Sequence, residues 1–261
     1  MTKETDLTVS QAIFLFLAGA LGGAMNAVAG GGSFVAFPAL LFTGVPPIPA
    51  NATNTFSLWV GTAASGGAYR NRLITPRRIL IPLLIMSAIG GLAGALLLIK
   101  TPAHTFLRLI PWLMLAATLL FTFGKYLTRY ISAKLSHSAS SAAIGGASAV
   151  ELLVATYGGY FGGGIGIMNL ALFSVLGMTD IHAMNALKVV LVTVINGIAA
   201  LTFVINGAVK WHQAIVMTAG AAAGGYFAAH FSQRVPPVYV RALVIGIGFG
   251  MTAYFFVKSF R

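Results

Sequence analysis

Two glycine triplets, Gly30-Gly31-Gly32 and Gly162-Gly163-Gly164, stand 132 residues apart in this chain. A glycine-rich break leaves backbone N–H groups free, and a helix that starts there adds partial positive charge at its N-terminus. Together these make an anion site with no permanent cation. Ser33 after the first triplet and Asn26 before it add side-chain donors. The competing reading is close helix packing, because small residues line helix interfaces in membranes. Two triplets at matched places, each ahead of a short apolar segment, favour the anion site.

A second polar group follows each short segment. In the first half it is Ala50-Asn51-Ala52-Thr53-Asn54, and in the second Ala183-Met184-Asn185-Ala186-Leu187-Lys188. Amides and hydroxyls at the start of a span either cap the helix or face a polar cavity. Asn51 is the better cap candidate; Thr53, Asn54, Asn185 and Lys188 lie deeper and are the ligand candidates. Lys188 either snorkels to the interface or meets an anionic substrate as a buried cation. Glu151 sits near the middle of an apolar run, too deep to snorkel. Three roles stay open for it: an ion pair with Lys188, a proton site for coupled transport, or a neutral acid bonded to a neighbouring helix.

Much else is excluded. The acidic residues number four, Glu4, Asp6, Glu151 and Asp180, and there is no cysteine. Hard cations take several carboxylate oxygens, and thiolate sites need cysteine, so neither a metal site nor a cofactor is expected. Asp180 and His182 share one turn but are too few for a metal. Trp59, Trp112 and Trp211 read as interface or packing aromatics. No Ser-His-Asp constellation suggests an enzyme, and no Gly-x-x-x-x-Gly-Lys-[Ser/Thr] loop suggests nucleotide use.

The elements that position these residues must be membrane helices. Of 261 residues 58% are hydrophobic and 8% charged, against about 25% charged in soluble domains. Too little charge remains to cover a water-facing surface, so the lipid bilayer is the expected partner. The net charge of +12 lies between the apolar runs rather than on one face. It marks cytoplasmic loops rather than a nucleic-acid surface. The N-terminal apolar run lacks a clear cleavage site and reads as a retained first span.

Ten apolar segments are expected to be helical: 7–29, 34–42, 52–69, 79–99 and 106–123, then 141–161, 165–176, 181–205, 214–231 and 238–257. The halves repeat. The triplets, Gly44 with Gly177, Gly90-Gly91 with Gly224-Gly225, and Pro102 with Pro236 all match at offsets of 132 to 134. The predicted fold is therefore all-α, a duplicated polytopic helical unit. Residues 1–123 form the first repeat, 124–140 a basic cytoplasmic linker and 141–261 the second repeat. The second segment of each half is too short to span and reads as re-entrant. With eight full spans and two re-entrant segments, both termini share a side carrying eleven basic residues against four, the orientation the positive-inside rule prefers. Gly-x-x-x-Gly-like spacings serve internal packing or contacts between copies, so a homo-oligomer stays open.

The run from Asn26 through Ser33-Phe34, then Phe37-Pro38-Ala39-Leu40-Leu41, Gly44-Val45-Pro46-Pro47 and Ala52-Thr53-Asn54, resembles the TauE/SafE family of sulfite exporters. That family is also called the toluene-sulfonate uptake permease family. Phe161-Gly-Gly-Gly-Ile-Gly and His182-Ala-Met-Asn-Ala-Leu-Lys188 carry the related second-half forms. The resemblance implies a secondary transporter in a bacterial-type inner membrane, with sulfite, sulfonates or related organosulfur anions as cargo. It implies that the glycine motifs and the Ala-Thr-Asn region line the central site. Some members have an acidic residue where this chain has Asn26, so a coupling role there is not expected. A passive anion channel and a non-transporting accessory subunit are the alternatives.

Overall fold

The computed structural model describes residues 7–28, 31–69, 75–134, 141–231 and 237–259. Gly30, Lys3, Glu4, Asp6, Arg70, Arg72, His137, Arg234, Pro236 and Arg261 therefore lie outside the described residues. The described chain is all-helical. Its helices are α1 (Val9–Val28), α2 (Ser33–Phe42), α3 (Pro47–Tyr69), α4 (Arg77–Lys100), α5 (Ala103–Lys134), α6 (Ser141–Tyr160), α7 (Ile165–Val175), α8 (Ile181–Ile205), α9 (Trp211–Phe231) and α10 (Pro237–Ser259). Each of the ten expected segments is a helix. Among the described residues five helices, α1, α4, α5, α6 and α8, contain stretches long and apolar enough to cross a membrane.

Large apolar side chains point outward along these helices at helical spacing. Ile81, Ile85, Ile89, Leu92 and Leu96 on α4 and Ile13, Leu17 and Leu21 on α1 are exposed. Such stripes would be costly in water and are at home in lipid. The buried side contains Phe37, Leu40, Phe106, Met114, Phe161 and Phe203, which join α2 and α5 to the end of α6 and to α8.

Two closely packed crossings hold the frame. Helix α1 lies on α9, and α6 lies on α4. Glycine makes both approaches feasible. A Cβ at Gly23 would overlap the backbone of Ala221, and one at Gly224 the backbone of Ala20. A Cβ at Gly94 would overlap Thr156 of α6. Backbones this close gain dispersion and weak hydrogen bonds that substitute for the missing hydrophobic drive between helices in lipid. Gly224→Leu should therefore lower the thermal unfolding temperature in detergent. The expected loss is about 1–3 kcal/mol or more, the usual cost of overpacking.

Helices α2 and α7 are the short ones, with 10 and 11 residues. At 1.5 Å per residue they reach about 15 Å, half of a bilayer core of about 30 Å. Both end alike. Gly44 and Gly177 take left-handed φ of 84° and 78°. The next residues, Val45 and Met178, donate back to Leu40 and Phe173 carbonyls. This is the Schellman closure that glycine permits.

Two boundaries differ most from the sequence expectation. Helix α5 continues through Lys134, so residues 124–134 of the expected linker are helical. After Gly124 no proline or glycine interrupts the run, and a polar helix gives no apolar signal. Helix α3 begins at Pro47, not near Asn51. Proline suits the first helical turn, where its missing N–H has no partner to lose. Asn51 is therefore not a cap. It is 1% exposed, and its amide donates to the Tyr160 carbonyl at 3.0 Å, tying α3 to the end of α6.

Candidate functional site

The two glycine breaks converge on one stretch of α5. A Cβ on Gly31 would lie 3.5 Å from the Phe121 ring, and one on Gly164 would lie 3.6 Å from the Ala117 carbonyl. Ala117 and Phe121 are one helical turn apart, a rise of about 6 Å. Phe34, in the first turn of α2, meets Phe121 edge-on with centroids 6.3 Å apart. Phe37 of α2 meets Phe161, the residue before the second triplet, at 5.8 Å. The starts of α2 and α7 are thus neighbours across α5, although 132 residues separate the triplets.

Each break adopts backbone that a side chain would resist. Gly31 has φ 137°, Gly162 has φ 84° and Gly164, the N-cap of α7, has φ 80°. A non-glycine residue in the left-handed region costs about 1–2 kcal/mol. Tyr157 anchors the second break by donating its hydroxyl to the Gly163 carbonyl at 2.8 Å. Neither α2 nor α7 has a side-chain N-cap hydrogen bond. Phe34 and Val35 of α2 already donate back to the Gly31 and Gly32 carbonyls, and Ile167 of α7 to Gly164, so only the N–H groups nearest each break are left to serve another acceptor.

Neutral polar side chains surround the first break. Asn54 Nδ2 donates to Ser33 Oγ at 3.1 Å, joining α3 to the start of α2. Asn54 is 1% exposed, and its Oδ1 has no hydrogen-bond partner within the protein. Asn26 Nδ2 donates to Thr62 Oγ1 at 2.9 Å. Thr53 is turned elsewhere: its buried hydroxyl accepts the Lys210 N–H at 3.0 Å, securing the loop between α8 and α9.

The second break has the cation. The Lys188 stem crosses the first turn of α7, with Cδ 3.2 Å from where a Gly166 Cβ would be. A Cβ there would press on the stem and make it give by a few tenths of an ångström. Its Nζ donates to Asn185 Oδ1 at 2.8 Å, one helical turn back along α8. A lone ammonium near a helix N-terminus is repelled by the local dipole; an anion between them would reverse the sign of that interaction. Asp180 caps α8 by accepting from the His182 N–H at 2.9 Å, which gives that pair a structural role. Trp59 is a packing residue, donating to the Thr193 carbonyl at 3.1 Å and lying over Gly197.

Glu151 is separate from these groups. It is fully buried on α6, and Ser87 of α4 donates to its Oε1 at 2.6 Å. Its Oε2 has no hydrogen-bond partner within the protein. The bond to Ser87 does reach a neighbouring helix, with Glu151 as the acceptor, and Lys188 Nζ donates to Asn185 rather than to Glu151.

Sequence reasoning missed Ser87, Tyr157, Thr62 and Asn169. Asn169, on the short apolar α7, is fully buried with neither side-chain atom partnered within the protein. A lone amide inside an 11-residue apolar helix was the available signal. Two grooves among the described residues have volumes of about 320 and 450 Å³. One runs along α2 from Phe34 to Phe42 and is also lined by Phe14, Leu17 and Met251, and the other is lined by Phe56, Trp59, Leu201 and Trp211. Their apolar walls suit lipid, not an anion.

The family model "Sulfite exporter TauE/SafE" matches residues 15–255. A probable membrane transporter protein of Haemophilus influenzae is 32% identical over 253 residues, covering 95% of each chain. A probable membrane transporter protein, ORF9, of a Sinorhizobium species is 26% identical and covers 92% of this chain and 90% of the relative. The probable membrane transporter protein YfcA of Escherichia coli is 25% identical over 92% of this chain and 87% of the relative. No solved structure matches. With its helical frame, lipid-facing stripes and glycine breaks, the chain belongs to the sulfite exporter TauE/SafE family of membrane transporters.

Proposed function

We propose that this protein is a secondary transporter that carries a small anion, sulfite or an organosulfonate, out across the cell inner membrane. The observation that carries this reading is the convergence of both glycine breaks on Ala117–Phe121 of α5, with Lys188 laid over the start of α7. The anion is bound by Gly31, Gly32, Ser33 and Asn54 from the first half. Gly162, Gly163, Gly164, Asn185 and Lys188 bind it from the second. Asn26 orders the first break through Thr62, and Thr53 positions α3 from behind. Gly30 belongs to the same motif. One shared site suits an ion that must be stripped of water, because several weak donors and one cation replace its hydration.

The duplication has support in the packing. Helix α1 lies on α9 as α6 lies on α4, α1 meets α2 as α6 meets α7, and α3 crosses both α8 and α9 as α8 crosses α3 and α4. Exchanging the halves carries each pairing onto another. We infer two parallel repeats, eight full spans, re-entrant α2 and α7, and cytoplasmic termini. An interior-negative potential favours anion exit by about 2.3 kcal/mol per charge per 100 mV, so export needs no further coupling. Uptake would need it; where a proton gradient contributes in either direction, Glu151 is the proton-coupling candidate.

Counterflow tests the carrier. Proteoliposomes preloaded with unlabelled sulfite should transiently accumulate labelled sulfite, because a returning loaded carrier exchanges one anion for another. Flux without counterflow would make the protein a channel. Silence from correctly folded protein across sulfite, sulfonates and carboxylates would leave the accessory-subunit reading.

A further inference from the structure

Two apolar clusters fill the space between α4, α6, α7 and α8. One contains Leu83, Ala147, Leu172, Phe173, Leu187 and Leu191. The other contains Val154, Ala155, Ile165 and Ile195, with Met168 and Val192 packed against it. Three buried polar residues sit, by position along their helices, between members of these clusters. On α6, Glu151 falls between Ala147 and Val154. On α7, Asn169 falls between Ile165 and Leu172, and shares their face because those positions are four and three residues away. On α4, Ser87 is one turn beyond Leu83 and already holds Glu151.

Ser148, three residues before Glu151 on α6, is also buried, and its hydroxyl donates to the Ile144 carbonyl at 2.8 Å. Glu151 and Asn169 are both fully buried, and Glu151 Oε2 and both ends of the Asn169 amide have no partner within the protein. Each buried polar atom left so costs about 1–3 kcal/mol. The elements packed on α6 bring no second ionisable group to this level. Helix α7 has none, α4 has Arg77, Arg78 and Lys100 at its ends, and α8 has His182 and Lys188 near its start. Tyr157, on α6 itself, is committed to Gly163.

We propose that Glu151, Ser87 and Asn169 form one buried site for a single proton, and that α7 couples this site to the anion site. The proposal rests on the proton-coupling reading of Glu151 and extends it to a positioning residue on the helix that starts at Gly164. The chemistry selects the side chains. A lone carboxylate charge among apolar side chains is costly unless a cation balances it. The bound proton sits on Glu151 Oε2, and its O–H donates to Asn169 Oδ1. When the proton leaves, the amide turns and Nδ2–H donates to the same oxygen. An asparagine amide has both a donor and an acceptor, so it can serve either state. Turning the amide acts on α7, whose first turn lies against Lys188.

Infrared spectra of the solubilised protein read this without any transport substrate. The carboxylic C=O band of Glu151 is assigned by its loss in Glu151→Gln. In Asn169→Leu it should shift to higher frequency as the O–H loses its acceptor; an unmoved band in a folded variant would overturn the shared site. In proteoliposomes, the ratio of sulfite flux with and without a pH gradient should fall toward one in both variants. Loss of the response in Glu151→Gln with full retention in Asn169→Leu overturns the shared site alone. Retention in both overturns the proton reading beneath it. A response to a sodium gradient in place of the pH gradient assigns the oxygens to an alkali cation and also overturns the proposal.

Discussion

Lys188→Ala should raise the KM for sulfite about 100-fold or more while the protein still folds. Removing one partner of a buried charged interaction costs about 3–5 kcal/mol, and each 1.4 kcal/mol is tenfold in affinity. Lys188 Nζ has one protein partner, the Asn185 oxygen, and its stem crosses Gly166 at the start of α7. Without an anion the ammonium is a burden on that helix start, so its loss should leave thermal stability unchanged or raised. Lys188→Arg should recover part of the affinity, since the charge survives but the wider guanidinium must fit over Gly166. KM from initial flux rates, beside thermal unfolding in detergent, checks both. A large fall in stability with unchanged KM would return Lys188 to a packing role.

Asn54→Leu should raise the KM for sulfite roughly 10- to 100-fold, the equivalent of a hydrogen bond to a charged group at about 1.5–3 kcal/mol. The argument comes from the first break. Asn54 Nδ2 holds Ser33 Oγ at 3.1 Å and so orders the hydroxyl at the start of α2. Its Oδ1 is unpartnered within the protein, so leucine also removes a buried unsatisfied acceptor. Stability should hold while affinity falls. The two variants probe opposite halves of the chain, and their effects should be less than additive. Residues that share one ligand couple in double-mutant cycles. Fully additive effects would point to two separate sites.

Most of the frame was legible in the sequence because lipid imposes a simple rule. Apolar runs such as 79–99 and 181–205 become helices, as backbone groups in a membrane must bond within their own segment. The helix ends were less legible. Pro47 and Pro49 look like breakers, yet both sit in the first turn of α3 and carry the helix back past Asn51. Residues 124–134 give a polar run that reads as linker, although nothing in them stops α5.

The site was legible in its parts but not its pairings. Glycine triplets, Asn54, Asn185 and Lys188 could be selected by type and depth. That Glu151 meets Ser87, 64 residues away, depends on the α4–α6 crossing, and that crossing depends on glycines whose partners no local pattern names. Thr53 shows another pairing that its depth did not reveal: its hydroxyl oxygen accepts from the backbone of Lys210, 157 residues on, while its O–H stays available as a donor.

Calorimetric titration of the solubilised protein with sulfite, followed by a panel of sulfonates, tests the shared site most directly. One saturable site per chain, weakened by both Asn54→Leu and Lys188→Ala, is the predicted result. Two sites per chain, or one site that either variant leaves untouched, would contradict it.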